Sequence, residues 1–401
     1  MGIKRMLAAA AVVLAMSGCS IKPADTSSGS SPADSAEQPE IVAFPGNGAK
    51  GMEITREEYR GEYLYYLVKN GISSDADADT LANAQQQVIN SMIEERLIRA
   101  EFAGNGMTIS DSDRESIQKD VDSGIAAMIS GMRSALAAAD SSLSDEELDE
   151  GAQAQYQQLL STCGISEDTF YGWQETIFMK QKLTEKLGAD AEVTDEEVNS
   201  QLQALITAAR SQYESSPAAY NGQDHAGIWI PEGSRAVQAI LVSFDYDVYS
   251  QISSLRYDGK DEEADKLRED SLGGLQERYE TIIARIVAGD DFAKLMEEFN
   301  DDQGNGTFLI TPGTGVFGKE ILDCAMGIDA VGGTDTAVTD YGYYILRYES
   351  DAVVTEDTLN AAAEQLRDYI LESKRSELFN AGLEKWKTEY SYEINEELLV
   401  V

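Results

Sequence analysis

The sequence predicts an α+β protein in which a helical domain is interrupted by a smaller domain built on an antiparallel sheet. Residues from about 53 to 215 show the apolar spacing of amphipathic helices. Residues 235–350 contain runs rich in branched residues that are typical of strands. A last helical pattern follows residue 353, and a single amphipathic helix needs a surface on which to bury its apolar stripe. We therefore expect the C-terminal helix to return to the N-terminal helices, which makes the sheet domain an insertion.

The N-terminus has the pattern of an export signal. Lys4 and Arg5 precede an apolar run from Met6 to Met16 that is too short to span a bilayer. The segment MSGC follows, and it is similar to the lipobox of bacterial lipoproteins, in which the cysteine receives the lipid. We expect residues 1–18 to be a lipoprotein signal peptide and Cys19 to be lipidated. The alternative is a plain secretory signal with an incidental cysteine.

Residues 19–51 are expected to form a flexible tether. Ser, Pro, Gly, Ala and Asp dominate this stretch, and such a composition buries too little apolar surface to fold. A flexible chain of this length has a root-mean-square span of roughly 30 Å. The folded part would then stand just off the outer face of a membrane.

Composition narrows the classes of function. Hydrophobic residues make up 42% of the 401 residues, which is enough for two or three packed domains. With Cys19 lipidated, only Cys163 and Cys324 remain, and two isolated thiols do not make a disulfide framework. The net charge of -41 disfavours nucleic acid and anionic lipid as partners.

The helical domain is predicted over residues 52–229. Its first pattern, EITREEYRGEYLYYLVKN, places aromatic and apolar residues on one face. Its last, VTDEEVNSQL, has Thr194 and Glu197 at the spacing of a capping box. No strand is expected before about residue 215.

The sheet domain is predicted over residues 230–352. The strand RAVQAILVSF opens it, and the strands TAVTD and GYYILRYES close it. Between them lie a charged helical stretch at 246–288, the amphipathic helix GDDFAKLMEEFNDD, a glycine-rich loop and the short helix EILDCAMGI. The purpose of the charged stretch stays open. Residues 353–401 are predicted to form the C-terminal helix.

In this order, RAVQAILV, GDDFAKLMEEFNDD and VTDYGYYILRYE resemble the parvulin-type peptidyl-prolyl isomerase domain. The family pattern is a strand reading HILV, a helix reading GxDFxxLAxxxSxD, a GGDLGWF loop and a last strand reading GYHIIKV. The flanking helices resemble the SurA-like chaperone domain. Together with the lipobox, residues 52 to 390 look like the PrsA type of extracytoplasmic foldase lipoprotein.

The resemblance implies a site from which both family histidines are missing. They fall at Ala239 and Tyr344. The family's central Asp or Cys falls at Asp301 or Asp302, and its threonine falls on Thr339. The candidate catalytic residues are therefore the two aspartates, the threonine and the tyrosine.

The resemblance also implies an apolar pocket for proline. The loop is reduced to PGTGVF, which keeps Phe317 as one wall, and Ile321 and Met326 from the next helix supply further walls. Rotation about an X-Pro bond needs no nucleophile, but losing a factor of 100 in rate requires only about 2.7 kcal/mol of lost transition-state stabilisation. We expect weak or no isomerase activity, with chaperone-type binding retained.

No metal site and no cofactor are expected. His225 is the chain's only histidine, and no second His or Cys completes a metal site with it. The segment DDQGNG from Asp301 matches the start of a calcium loop, but Pro312 stands where a bidentate Glu is required. The segment is better explained as a turn that ends a helix.

The resemblance, together with the export signal, implies a membrane-anchored extracytoplasmic foldase or chaperone. Its partners would be unfolded or partly folded exported proteins, and the membrane through the lipid on Cys19. One alternative is an active prolyl isomerase with an altered site. Another is a surface lipoprotein that binds a ligand and keeps the foldase architecture as a scaffold. The clients, and the association of two chains through the N-terminal helices, stay open.

Overall fold

The structure is a computed structural model that describes residues 39–220, 227–302 and 306–400. The expected signal peptide, the lipidation of Cys19 and the histidine at 225 lie outside the described residues. None of the helices in the described ranges combines the length and the apolar composition that crossing a membrane requires.

The chain divides into two compact units. The first comprises Met1–Ala191 and Glu372–Val401, and the second comprises Glu192–Leu371. The predicted α+β class is confirmed, since helices occur together with two antiparallel sheets. The predicted helical domain extends to residue 229, whereas the described residues 192–220 and 227–229 belong to the second unit.

The first unit contains five helices and a small sheet within the described residues. The helices are α1 (Arg56–Lys69), α2 (Ala78–Gly104), α3 (Asp111–Ala139), α4 (Asp145–Cys163) and α5 (Glu167–Leu187). The strands are β1 (Ile41–Pro45), β2 (Ile54–Thr55) and β7 (Tyr392–Ile394).

Local sequence explains where several of these helices begin and end. Reciprocal capping boxes start α1 at Thr55 and Glu58, and α4 at Ser144 and Glu147. Helix α4 ends at Gly164, whose left-handed φ of 69° suits a residue without a Cβ.

The C-terminal helix, α12 (Glu356–Tyr390), contributes its last turns to the core of the first unit. Phe379, Leu383 and Trp386 are buried in one cluster with apolar residues of α1, α2 and α5. The predicted return of this helix to the N-terminal helices is confirmed. It explains why an isolated amphipathic pattern ends the chain.

The sheet of the first unit differs from the sequence prediction. Strand β1 lies between β2 and β7 in the order β2-β1-β7, and its Val42 and Ala43 are fully buried. Residues 41–45 are therefore part of the folded unit and not of a tether that extends to residue 51. The run IVAFP is short and lies in a Ser/Pro-rich context, and β7 is remote in sequence, so no local pattern indicates the pairing.

The second unit contains a four-stranded antiparallel sheet in the order β4-β3-β6-β5. Its strands are β3 (Arg235–Ser243), β4 (Thr307–Ile310), β5 (Thr334–Thr339) and β6 (Gly342–Asp351). Its helices are α6 (Asp195–Ser215), α7 (Tyr246–Tyr257), α8 (Asp261–Ser271), α9 (Gln276–Val287), α10 (Phe292–Phe299) and α11 (Lys319–Gly327). Three of these strands match the predicted ones, and β4 lies where the sequence predicts a loop.

Strand alternation gives the sheet two apolar faces. One face carries Val237 and Leu346, and it packs against α11. The other carries Ile240 and Ile345, and it packs against α9 and α10. The predicted charged stretch at 246–288 comprises α7, α8 and α9.

Candidate functional site

The sheet face that packs against α11 gathers most of the predicted pocket. Ala239 and Ile321 are buried there, and Phe317, Met326 and Tyr344 are half-buried in the same cluster. Because alternate residues of a strand share a face, β3 and β6 present residues 239 and 344 to the same side. The two positions that the resemblance aligns with histidines therefore lie on one apolar face.

Phe308 on β4 also belongs to this surface, although it is not among the residues predicted for the pocket. Its ring lies 5.2 Å from that of Phe317, centroid to centroid, at an interplanar angle of 60°. Such tilted pairs are favourable for aromatic rings. The apolar triplet FLI before Thr311 is the signal by which this strand could be found.

The space at residue 239 is filled by its neighbours. Ala239 is 1% exposed, and its backbone N–H donates to the carbonyl of Gly306 at 2.6 Å. A Cβ at Gly306 would lie only 2.6 Å from the Met296 methyl carbon and 2.8 Å from the Ala239 carbonyl oxygen. Because the strand and the 306 turn approach this closely, position 306 has no room for a side chain.

Tyr344 supplies a polar group to the otherwise apolar surface. Burial raises the pKa of its phenol to about 12, and the nearby Asp302 carboxylate and Tyr341 phenol act in the same direction. The phenol is therefore neutral near pH 7. It can donate a hydrogen bond to a peptide carbonyl, but it is a poor general base.

Asp301 is held in a structural ion pair. Its carboxylate accepts from Arg278 at 2.7 and 2.8 Å, and from the backbone and hydroxyl of Ser243 at 2.8 and 3.0 Å. Burial alone would raise the pKa of Asp301, but the bonds from Arg278 and Ser243 outweigh it and lower the pKa below its usual value. These contacts join the end of α10 to the end of β3. Both carboxylate oxygens are already engaged.

Thr339 closes the turn between β5 and β6. Its buried hydroxyl donates to the carbonyl of Gly342 at 3.2 Å and accepts from the backbone N–H of Tyr341 at 3.1 Å. The structure therefore places Thr339 and Asp301 in turn-forming contacts. Asp302 raises the pKa of Tyr344, and its backbone carbonyl accepts from the Asn300 side chain at 3.3 Å.

Arg235 at the start of β3 positions α11 over the sheet. One guanidinium nitrogen, Nη1, donates to the carbonyls of Ala325 and Ile328 at 2.8 and 2.7 Å. The guanidinium carbon also lies 4.3 Å from the ring centroid of Tyr348. These contacts cap the C-terminal end of the helix that carries Ile321 and place its apolar side against the strand.

The described residues offer no reactive thiol or metal cluster. Burial raises the pKa of Cys163 to about 11, and burial together with Asp335 raises that of Cys324 to about 12. Both are free thiols, and they are protonated at neutral pH. No group of three or more His, Cys, Asp or Glu side chains in the described part of the chain is arranged to hold a metal ion.

Curated proteins similar to this chain include two that are named foldase protein PrsA. The protein of Geobacillus kaustophilus (strain HTA426) is 26% identical over 239 residues, which cover 55% of this chain and 78% of that protein. The protein of Clostridium tetani (strain Massachusetts / E88) is 23% identical over 122 residues, which cover 29% of this chain and 36% of that protein. No protein-family model matches the chain. The resemblance to PrsA-type foldases is confirmed.

Solved structures that align with the chain include two of PrsA. The foldase protein PrsA from Streptococcus pneumoniae is 16% identical, with 88% of this chain and 96% of that chain covered and a TM-score of 0.29. PrsA from Bacillus subtilis is 13% identical, with 88% and 93% covered and a TM-score of 0.23. Because both TM-scores are below 0.5, the assignment depends on sequence similarity.

Proposed function

We propose, from the similarity to curated PrsA foldases, that this chain is a PrsA-type extracytoplasmic foldase that binds unfolded client proteins. The lipobox-like MSGC segment supports anchoring through a lipid on Cys19. The clients would be proteins that have just been exported and still expose apolar segments. Binding such segments keeps them from aggregating, since aggregation buries the same surface.

The observation that carries this proposal is the composition of the sheet surface next to α11. It is half-open and apolar at Phe317, Met326 and Tyr344, and it has Ala239 where the family has a histidine. An apolar surface with a neutral phenol suits binding of a peptide segment that contains proline or another apolar residue. At the positions of the two missing histidines, this surface has Ala239 and Tyr344, neither of which is charged or basic at neutral pH.

The expected isomerase activity is low for the same reason. The barrier to rotation of the X-Pro bond is roughly 18 to 20 kcal/mol, and catalysis must stabilise the twisted amide by directed hydrogen bonds and desolvation. The Tyr344 phenol is the group on this surface able to supply such a bond. Without the second polar partner, the site lacks the paired donors and acceptors that organise the family's active site.

An active isomerase with an altered site is the second candidate. Tyr344 belongs to the surface that contains Phe317, and the Asp302 carboxylate raises the pKa of its phenol. The phenol would then donate to the prolyl amide, while Asp302 would fix its orientation.

Two assays on the full-length chain test the proposal. The first follows aggregation of a reduced, unfolded lysozyme, and the second follows the slow proline-limited refolding phase of a reporter protein. We expect suppressed aggregation and an unchanged slow phase. Phe317→Ala should weaken the suppression about five-fold, because a half-buried aromatic wall is lost.

Val287→Ala is the matched control, because Val287 is an apolar residue with 82% exposure on α9. It should suppress aggregation as the wild type does. A shortened slow phase would favour the isomerase candidate, and its loss in Tyr344→Phe would assign the hydrogen bond to the phenol. A chain that leaves both assays unchanged would contradict the foldase proposal.

A further inference from the structure

An open cleft lies between α6 and the segment that leads into β3. Its volume is about 520 Å³, which is within the range typical of ligand sites. Helix α6 lines it with Arg210, Tyr213 and Glu214, and residues 229–232 line the other side. We call this site the Trp229 cleft. All of its lining residues belong to the second unit, and none is among the residues predicted for the pocket.

Three aromatic rings give the Trp229 cleft a fixed apolar wall. The ring centroids of Tyr213 and Trp229 are 5.8 Å apart, and Tyr220 packs edge-on against both, at 5.3 and 5.8 Å. Tyr220 is fully buried, and its hydroxyl donates to the carbonyl of Trp229 at 3.2 Å. Tyr213 and Trp229 are half-buried and line the cleft. Because buried contacts hold these rings, the wall needs little reorganisation to bind a ligand.

Several polar groups of the cleft have no hydrogen-bond or ion-pair partner in the part of the chain that the structure describes. These are the indole N–H of Trp229, the guanidinium of Arg210 and the carboxylates of Glu214 and Glu232. The Arg210 guanidinium carbon lies 5.9 Å from the ring centroid of Trp229. The two donors suit a ligand with free carbonyl oxygens, and the two carboxylates suit a cationic group.

The aromatic wall is hydrogen-bonded to the loop that carries Phe317. The Tyr213 hydroxyl donates to the carbonyl of Pro312 at 2.8 Å. The Thr314 hydroxyl donates to the carbonyl of Tyr220 at 3.0 Å. These bonds fix the cleft against the loop within the second unit. A chain bound in the cleft is therefore held close to the loop that forms one wall of the proposed client surface.

The chemistry of the cleft fits an extended peptide segment that contains proline. A polyproline II segment has no internal backbone hydrogen bonds, so its carbonyl oxygens are free to accept from a donor such as the Trp229 indole. Pro-rich segments dock in grooves lined by aromatic side chains, because the stiff segment loses little entropy on binding. A lysine or arginine in the segment complements the carboxylates of Glu214 and Glu232.

We propose that the Trp229 cleft binds an extended, proline-containing client segment that has a lysine or arginine next to its proline. A prolyl ring would pack against Tyr213 and Trp229, and the indole N–H would donate to a peptide carbonyl. The basic side chain would lie near Glu214 and Glu232. The inference depends on the proposed foldase function, because it takes the ligand to be part of a client. It adds a second binding site, separate from the sheet surface beside Phe317.

The indole N–H signals of the full-length chain in nuclear magnetic resonance spectra test this proposal. The chain has three tryptophans, and Trp229→Phe identifies the signal of Trp229. Trp173 and Trp386 belong to the first unit and serve as internal controls. The probe is a synthetic peptide with two Pro-Ala-Ala-Pro steps followed by two lysines, and the matched peptide has serine at each proline. We expect the proline peptide to shift the Trp229 signal alone, and the serine peptide to bind at least about five-fold more weakly.

Variants of the cleft separate its contacts, with affinities measured by fluorescence anisotropy of labelled peptides. Trp229→Phe keeps an aromatic ring and removes the N–H, so it should weaken binding of the proline peptide about three- to ten-fold. Glu232→Gln removes one carboxylate and should weaken binding about two- to three-fold. The same variant should bind a peptide with glutamines in place of the lysines as the wild type does.

Matched control variants come from the same unit. Glu262→Gln removes an exposed carboxylate on α8 that does not line the cleft, and Tyr257→Ala removes an aromatic ring that is 93% exposed on α7. Both should bind the peptides as the wild type does. Because Glu232 is exposed and Trp229→Phe keeps a ring, the cleft variants should keep the wild-type unfolding midpoint. That result separates lost contacts from lost folding.

The outcomes distinguish this inference from the foldase proposal. An unmoved Trp229 signal, or equal affinity for the proline and serine peptides, overturns the inference even if aggregation is still suppressed. A signal that shifts with the oligosaccharide chitotetraose and not with the peptide overturns it as well, because the cleft would then be a carbohydrate site. If the chain neither binds the peptide nor suppresses aggregation, the foldase proposal fails together with the inference.

Discussion

The carboxylate of Glu62 on α1 lies against the indole of Trp173, whose N–H donates to it at 3.1 Å. Burial raises the pKa of Glu62 to about 7, against the lowering effect of the Trp173 hydrogen bond, and the neighbouring Glu95 raises it further. Arg96 opposes this increase. Near neutral pH the Glu62 carboxyl is therefore partly protonated and partly ionised in the folded helical unit.

Glu62→Gln should flatten the pH dependence of stability. The folded chain holds the Glu62 proton more tightly than the unfolded chain, so wild-type stability should fall as the pH rises from about 4.5 to about 7. One pKa unit corresponds to about 1.4 kcal/mol, so the fall amounts to about 3–4 kcal/mol. Glutamine keeps an acceptor for Trp173 and carries no charge. Urea midpoints measured between pH 5 and 8 check this.

Glu150→Gln on α4 is the control, because Glu150 is exposed on that helix surface. Its midpoints should keep the wild-type slope. A Glu62→Gln chain that retains the full wild-type slope would assign the pH dependence to other groups.

Among the site residues, sequence pattern locates those whose position follows from strand alternation. Ala239 and Tyr344 lie on predicted strands, and their shared face follows from the period of two. The ion pair of Asp301 with Arg278 does not follow from any pattern, because the partner lies on α9 within the insertion. The Asp301 carboxylate, which the resemblance suggests as a catalytic group, therefore has a structural role.

At the level of secondary structure, local composition does not predict that residues 41–45 form strand β1. Its partner β7 is the last strand of the chain, and the pair is antiparallel, with Ala43 opposite Ile394. Strands β3 and β6 are easier to predict, because each is a long run of branched and aromatic residues. A three-residue strand and a two-residue strand carry no comparable signal.

Val42→Ala should destabilise the protein by about 1–3 kcal/mol, because Val42 is fully buried in β1 and its loss leaves a cavity. Phe44→Ala, on the same strand, changes a side chain that is 39% exposed and should cost less than about 1 kcal/mol. Urea unfolding of both variants measures the difference. Equal, negligible effects would mean that residues 41–45 are part of the tether after all.

At the scale of the whole molecule, net charge governs which unfolded chains approach. The charge of -41 attracts cationic clients and repels acidic ones over a distance set by the ionic strength. The Debye length is about 10 Å at 0.1 M salt and about 3 Å at 1 M. Long-range attraction therefore decays well before contact at high salt.

We expect the affinity for a lysine-rich unfolded client to fall at least about five-fold between 50 mM and 500 mM NaCl. Binding of an uncharged unfolded client should change little, because its apolar contacts are not screened. Titrations at both salt concentrations with the full-length chain check this. A salt-independent affinity for the cationic client would show that apolar burial alone determines binding.

The overall organisation is largely predictable, because it depends on periodicity and on chain order. The inserted sheet and the returning C-terminal helix follow from a helix–sheet–helix sequence of patterns. The position of α6 does not follow in this way. Its Tyr213 donates to the carbonyl of Pro312 at 2.8 Å, a contact within the second unit across 99 positions of sequence. Only the tertiary contacts show which unit a connecting helix joins.

The pairing of β1 with β7 has a consequence for the order in which the chain matures. Tyr59 donates to the carbonyl of Leu399, and Tyr392 to that of Met52, each across 340 positions. A chain that emerges N-terminus first through an export pore cannot form these contacts until its final residues are released. The inserted sheet, whose contacts are closer in sequence, can complete its folding earlier. During translocation the inserted sheet, with its proposed client-binding surface, would thus be folded while the first unit is still incomplete.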